Sequence, residues 1–462
     1  MPRDALCWIR RDLRLHDHAA LSAATAHHER VAVVFVFDAL ILNALEDRDD
    51  KRVTFIYESL AEVDAVLRAS GSRLIVLHGN PVELIPRLAK ELGVEAVYTN
   101  HDDEPYAIAR DQRVAQALNS QGQSLNTFKD HVIFERTEVT TQTGGDFRVY
   151  TPYMRAWRAR LRPADVAERS VDDKKFWPNL PESAPALAPL SDYGFQPSDL
   201  WLKPGVSGGR ERLDAFTQNL PHYGQRRDFP AIEGTSGLSV HLRFGTISIR
   251  EAVRHAQRHD SAGSTKWLNE LIWRDFYQMI MSRFPKAMST SFKPEYRDLV
   301  WPGQAEHLEA WKQGQTGYPI VDAAMRELKQ TGWMHNRLRM IVASFLTKDL
   351  LVSWQDGEAH FARYLLDFDL ASNNGGWQWA ASTGVDAQPY FRIFNPVSQS
   401  LKFDPDGTYI RRWVPEIAHL DAKDIHAPWQ LGLMAPADYP APIVDHATQR
   451  TLALELLSRK KE

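Results

Sequence analysis

The sequence predicts an α/β half, built on a five-stranded parallel sheet, followed by an all-helical half. Residues 1–130 alternate short β-rich runs with amphipathic helical segments. That order builds a parallel sheet with helices on both faces. Residues 131–208 lose the periodicity, and Pro152, Pro163, Pro178, Pro181, Pro185, Pro189, Pro197 and Pro204 recur there, so the stretch reads as a long connector. Residues 209–462 return to helical apolar spacing over most of their length.

The elements follow in order. Residues 6–9 read as a strand and 19–26 as a helix. The run VAVVFVF at 31–37 has the continuous apolar character of a buried strand. Residues 51–69 place Phe55, Leu60, Val63 and Leu67 near helical spacing. A strand at 74–77 stops at Gly79-Asn80-Pro81, and a helix at 82–92 is closed by Gly93. A strand at 96–98, a helix at 106–118 and a strand at 125–128 complete the α/β pattern. One helix, 149–161, falls in the connector. Helices are then expected at 209–219, 249–259, 264–283, 305–312, 319–329, 336–354 and 358–366. Beyond Ser382 the chain becomes loop-rich until a last helix at 447–459.

Composition narrows the function. The chain has 462 residues, 44% hydrophobic and 25% charged, as in ordinary globular proteins. No run is long and apolar enough for a membrane helix, and the start has no signal-peptide hydrophobic region. The only cysteine, Cys7, excludes a disulfide framework and a cysteine zinc site, and it fits a reducing cytoplasm. Net charge is −4, with residues 1–200 at −6 and the remainder at +2, so any nucleic-acid contact must be a local patch. Eleven of the fourteen tryptophans lie after residue 200, an enrichment that asks for a cause.

The turn after the first strand reads RRDLRLHDH, without a glycine-rich phosphate loop, which argues against a nucleotide there. Arg10, Arg11 and Arg14 either meet an anion or pair with nearby acids. His101-Asp102-Asp103-Glu104 reads as a solvated loop or, less simply, as metal ligands. The loop Gly234-Thr235-Ser236-Gly237-Leu238-Ser239 is either a helix cap or a phosphate cradle. Glu270, Trp273, Arg274 and Tyr277 are spaced to share one helix face, which suits either an ion-paired surface or a flat polar ligand such as a stacked base. In 316–379, His335, Asn336, Arg337 and Arg339 interrupt an apolar helical pattern. Asp367 and Asp369 stand just before an expected amide and glycine turn, and Trp377 and Trp379 follow it. Charged groups in buried-looking segments need partners, from the protein or from a large polar and aromatic ligand.

The segments TGYPIVDAAMREL (316–328), NRLRMIVASFLTKDLLVSWQ (336–355) and DFDLASNNGGWQWAASTG (367–384) resemble signatures of the photolyase/cryptochrome family. The resemblance to its class I DNA photolyases runs along essentially the whole chain. It implies a Rossmann-like α/β domain at 1–130, which holds an antenna chromophore, a connector at 131–208, and a helical FAD- and lesion-binding domain at 209–462. By the same resemblance Tyr223, Thr235, Ser236, Gly237, Leu238, Ser239, Trp267, Arg339, Asp367, Phe368, Asp369 and Asn373 bind FAD, with Asn373 facing flavin N5. Trp377, Trp354 and Trp301 match an electron relay. Glu270, Trp273, Arg274, Tyr277, Asn336, Met340 and Trp379 would form the lesion pocket, and Arg227, Arg337, Arg392 and Gln399 would contact the damaged strand.

The expected activity is light-driven repair of cyclobutane pyrimidine dimers in UV-damaged DNA, by a monomer without a metal. A (6-4) photolyase carries a histidine pair at the lesion, where this chain reads Met334-His335-Asn336-Arg337. A cryptochrome photoreceptor is the other alternative; Asn373 and a short tail past Trp429 favour a photolyase. The antenna chromophore stays open among a deazaflavin, FMN and methenyltetrahydrofolate; Tyr106-Ala107, where folate-binding members carry an Asn-Glu pair, argues against folate. Gly237 stands where some relatives have arginine, so one phosphate contact is expected to be missing.

Overall fold

The structure is a computed structural model, and it describes residues 4–458. The described chain forms two compact units: residues 4–144, 154–220 and 236–282 make the first, and 145–153, 221–235 and 283–458 the second. The units are interleaved in sequence, so their limits differ from the linear division at 130 and 208.

The first unit holds a five-stranded sheet of order β3-β2-β1-β4-β5, all parallel. The strands are β1 (Asp4–Trp8), β2 (Arg30–Asp38), β3 (Leu74–Gly79), β4 (Ala96–Asn100) and β5 (Ser124–Phe128). β1 is central: Cys7 sits opposite Val33 on one side and Tyr98 on the other. On one face Leu6, Trp8, Val34, Ile75 and Val97 pack with Ile85 and Leu88 of α3 (Pro81–Leu92) and Val114 and Leu118 of α4 (Pro105–Asn119). α1 (Ala19–His27) packs on β1 and β4, and α2 (Lys51–Ala69) on β3. Strand runs without polar alternation are what a sheet covered on both faces requires. The order of the strands is the one expected and α2 has the expected bounds, but a short helix Ala39–Asn43 after β2 was not expected.

In the second unit, α5 (Pro319–Thr331), α6 (Asn336–Ser344), α7 (Trp354–Tyr364) and α8 (Leu370–Ala380) surround one large core. Trp311, Leu338, Ile341, Phe345, Trp354, Phe361 and Trp377 belong to it.

Two expectations fail here. The helix read at 336–354 is broken: after Ser344 the turn widens to a π-helix at Phe345–Asp349, and Leu351 takes a left-handed φ of 54°. The break lets Leu351 O accept from Gly303 N at 2.9 Å. The expected amide and glycine turn is instead the middle of α8. Asp369 caps that helix by accepting from Ser372 N at 3.0 Å. Neighbouring chain holds it: Asn374 Nδ2 donates to Met288 O at 3.1 Å and Gln378 Nε2 to Ala287 O at 2.6 Å. These bonds offset the cost of two glycines in a helix interior. The last helix is His446–Ser458; Arg459, read as its end, lies outside the described residues.

Candidate functional site

In the first unit Trp267, Glu270, Trp273, Arg274 and Tyr277 sit on α-helix Ala262–Arg283. Its apolar positions Leu268, Leu271, Ile272, Phe276 and Met279 are buried, whereas Glu270, Trp273, Arg274 and Tyr277 are half-buried, as their spacing on one face requires. The rings of Trp273 and Tyr277 lie 5.4 Å apart. Arg274 is bonded to the backbone carbonyl of His131, with the His131 Nε2 at 2.6 Å. The next residue, Asp275, is fully buried and accepts from Ile133 N, Phe134 N and Trp157 Nε1 at 2.9–3.2 Å. Burial pushes its carboxyl up to about 6 against those bonds. Trp267 lies in the core, 5.2 Å from Phe216.

Gly237 has a left-handed φ of 63°, and a Cβ there would lie 2.4 Å from a guanidinium nitrogen of Arg212. Arg212 stacks 4.8 Å over Trp201 and reaches Ser236 O at 3.4 Å. A guanidinium from a neighbouring helix thus lies against the loop where the sequence suggested one was missing. Gly237→Arg is expected to lower thermal stability by about 1–3 kcal/mol through overpacking and positive φ; thermal unfolding measures it.

The basic residues after β1 pair with acids: Arg10 with Asp111 at 2.7 Å, Arg11 with Asp102 and Glu104, and Arg14 with Asp130. The 101–104 loop is ion-paired, since Arg136 also holds Asp103 and His101 meets Glu135. Nearby arginines hold Asp102 well below the usual carboxylate range, against the cost of burial. The Tyr106 hydroxyl donates to Asp38 at 2.6 Å.

In the second unit Arg339 of α6 pairs with the buried Asp367 at 2.8 Å, and its Nε donates to Met334 O at 2.8 Å. Asn373 of α8 donates from Nδ2 to Glu358 Oε1 at 2.8 Å, and burial raises the Glu358 carboxyl. Phe368 is half-buried between the two acids, and Asp369 is buried. Arg337 pairs with Asp228 at 2.8 Å and stacks 4.4 Å over Phe403. Arg227 lies 3.9 Å from the same Asp228 and 5.1 Å over the buried Tyr223. Asn336 is exposed, with Nδ2 3.9 Å from Met340 Sδ. Arg392 is exposed; Thr235, Trp379 and Gln399 are half-buried.

Trp377 and Trp354 are buried and Trp301 is half-buried in the same apolar core. The sequence reading missed Trp311, fully buried 6.0 Å from Trp377 with its Nε1 donating to Val342 O. It also missed Glu358 and Asp228, whose only signals were an acid on a predicted helix and an acid beside an arginine.

The donor set of the second unit fits FAD. A guanidinium and two buried carboxylates can meet ribityl and ribose hydroxyls, and an amide fixed by Glu358 can face a ring nitrogen. The comparisons agree. Residues 5–172 match the family model described as DNA photolyase, and residues 267–459 match the FAD binding domain of DNA photolyase. The chain is 41% identical to a deoxyribodipyrimidine photo-lyase of Synechococcus, over 96% of this chain and 94% of that one. It is 39% identical to the deoxyribodipyrimidine photo-lyase of Escherichia coli, over 98% and 99%. Among solved structures, a class III photolyase from Agrobacterium tumefaciens superposes with a TM-score of 0.91 at 35% identity, covering 100% of this chain and 98% of that one. A cryptochrome from Synechocystis gives 0.88 at 27%, covering 99% of each. The chain belongs to the DNA photolyase family, with the family's FAD-binding domain in its helical part.

Proposed function

We propose that this protein repairs cyclobutane pyrimidine dimers in UV-damaged DNA, driven by light. Its relatives named deoxyribodipyrimidine photo-lyase support that activity at about 40% identity over nearly the full chain. When bound, reduced FAD would supply the light-driven one-electron chemistry that opens the dimer ring. Glu270 accepts hydrogen bonds from the polar edge of the extruded dimer, and Trp273 stacks on it. Arg339, Asp367 and Asn373 hold the flavin; Arg227, Arg337 and Arg392 meet the damaged strand. Trp377, Trp354 and Trp301 carry electrons to an oxidised flavin.

One observation favours a cyclobutane dimer over a (6-4) product. His335 is buried, and its Nδ1 accepts from Arg337 N at 3.2 Å as the cap of its own helix. Burial pushes it down to about 4, so near neutral pH it is an uncharged imidazole and not an imidazolium acid.

A structure of a photolyase from Sulfolobus tokodaii contains two FAD molecules and is 32% identical to this chain. That supports a second, light-harvesting chromophore here, of unassigned identity. No helix of the described residues is long and apolar enough to cross a membrane. The reading includes a cytoplasmic location and a monomer.

The test is an oligonucleotide with one thymine dimer, incubated with the reduced protein in the dark and under blue light. Light-dependent return of thymine absorbance is expected, and its absence together with repair of a (6-4) oligonucleotide would overturn the reading. Glu270→Ala is expected to lower repair about tenfold, the value of one charge-assisted hydrogen bond, and Asn336→Ala by less. Unchanged repair in both would remove the pocket assignment.

A further inference from the structure

Lys348 is a buried lysine that the repair reading does not use, and burial lowers its ammonium to about 7. Its side chain is fully enclosed, within the π-helix Phe345–Asp349. The lysine lies in this widened turn, and such single-turn bulges occur often at functional sites. Lys348 Nζ donates to Ser382 Oγ at 2.9 Å and to Arg392 O at 3.2 Å. Those acceptors lie ten residues apart, at the two sides of the irregular segment 381–395. Ser382 sits at a left-handed φ of 68°. Arg392 O also accepts from Gln388 Nε2 at 3.1 Å. On the near side, Lys293 Nζ donates to Ser382 O at 2.8 Å.

The segment is therefore half anchored and half presented. Residues 381–385 and Gln388 are buried, while Pro389, Phe391 and Arg392 are exposed. An exposed aromatic beside a guanidinium is a surface that suits an unstacked base and its phosphate. A buried ammonium is retained only where partners satisfy it. Here they are two oxygens of this segment, with Asp349 as the neighbouring acid. Asp349 itself meets His446 at 2.5 Å, and Lys293 is the nearby like charge.

We propose that Lys348 is a positioning residue that holds the segment 381–395 in the shape in which Arg392 and Phe391 engage damaged DNA. This rests on the reading of Arg392 as a DNA contact.

The experiment compares the holoprotein with Lys348→Met, Ser382→Ala and the double variant. Without DNA, hydrogen exchange across 381–395 is expected to rise in Lys348→Met. Affinity for a thymine-dimer oligonucleotide is expected to fall about tenfold, as for loss of a charged hydrogen bond. Flavin content, and repair per absorbed photon at saturating DNA, should stay as in the parent. Ser382→Ala should give a smaller loss, and the double variant should be no worse than Lys348→Met, because both remove the same bond. Unchanged exchange overturns the proposal, as does flavin and photon yield lost in step with affinity. Faster exchange with unchanged affinity overturns it too. Should Lys348→Met not fold, Ser382→Ala and Gln388→Leu decide the matter by the same readouts. A parent protein that does not prefer dimer DNA over undamaged DNA refutes the proposed function instead, and the exchange measurement still decides the anchor.

Discussion

Arg339→Leu is expected to purify nearly free of flavin and with lowered stability. Arg339 is the ion-pair partner of Asp367, whose side chain is only 3% exposed. Removing one partner of a buried pair leaves the other charge unpaired, at a cost of about 3–5 kcal/mol; the partial exposure of Arg339 reduces the expected loss to about 2–3 kcal/mol. Denaturant unfolding and the ratio of flavin to protein absorbance measure the two effects. They are separable. Adding Asp367→Leu should recover part of the stability, because no carboxylate is then stranded, without recovering flavin. Full flavin content in Arg339→Leu would sink its assignment as a cofactor residue.

Trp377→Phe is expected to abolish most light-driven reduction of oxidised flavin and to leave repair by chemically pre-reduced protein intact. Trp377 is 2% exposed and lies edge-on to Phe361 at 4.9 Å and Trp311 at 6.0 Å. Gly357 packs so closely that a Cβ there would lie 2.1 Å from the ring. Phenylalanine leaves a cavity worth about 1–3 kcal/mol, so flavin must be shown to remain bound before rates are compared. Unchanged photoreduction with a thiol donor would refute the relay.

The α/β half was legible because β2 and β3 contain apolar runs and its helices carry caps and stops. Asn80 and Gly93 bound α3 where the sequence places them. The helical half was legible in its spacing but not in its interruptions. Nothing in FLTKDLLVSW announces a π-turn or a left-handed Leu351, since it holds neither proline nor glycine. Asn373-Asn374-Gly375-Gly376 reads as a turn by propensity; bonds to Glu358, Met288 and Ala287 override it, and those lie 15 to 91 residues away in sequence. Arg10, Arg11 and Arg14 were left between anion and acid because their partners, Asp111, Asp102 and Asp130, follow about a hundred residues later. The candidate site was legible mainly through its motifs. The groups that set its side chains, Glu358, Asp228 and Arg212, carry no motif.

The interleaving of the two units bears on how the chain is made. The first unit takes its last segment from residues 236–282, and the second has already used 145–153 and 221–235 by then. No single cut separates them. During synthesis the sheet of residues 4–128 can emerge early, but its unit stays incomplete until about residue 282 has left the ribosome. Truncation anywhere before that point removes pieces of both units, so a nascent chain stalled there is a substrate for chaperones and proteases and not a smaller working protein.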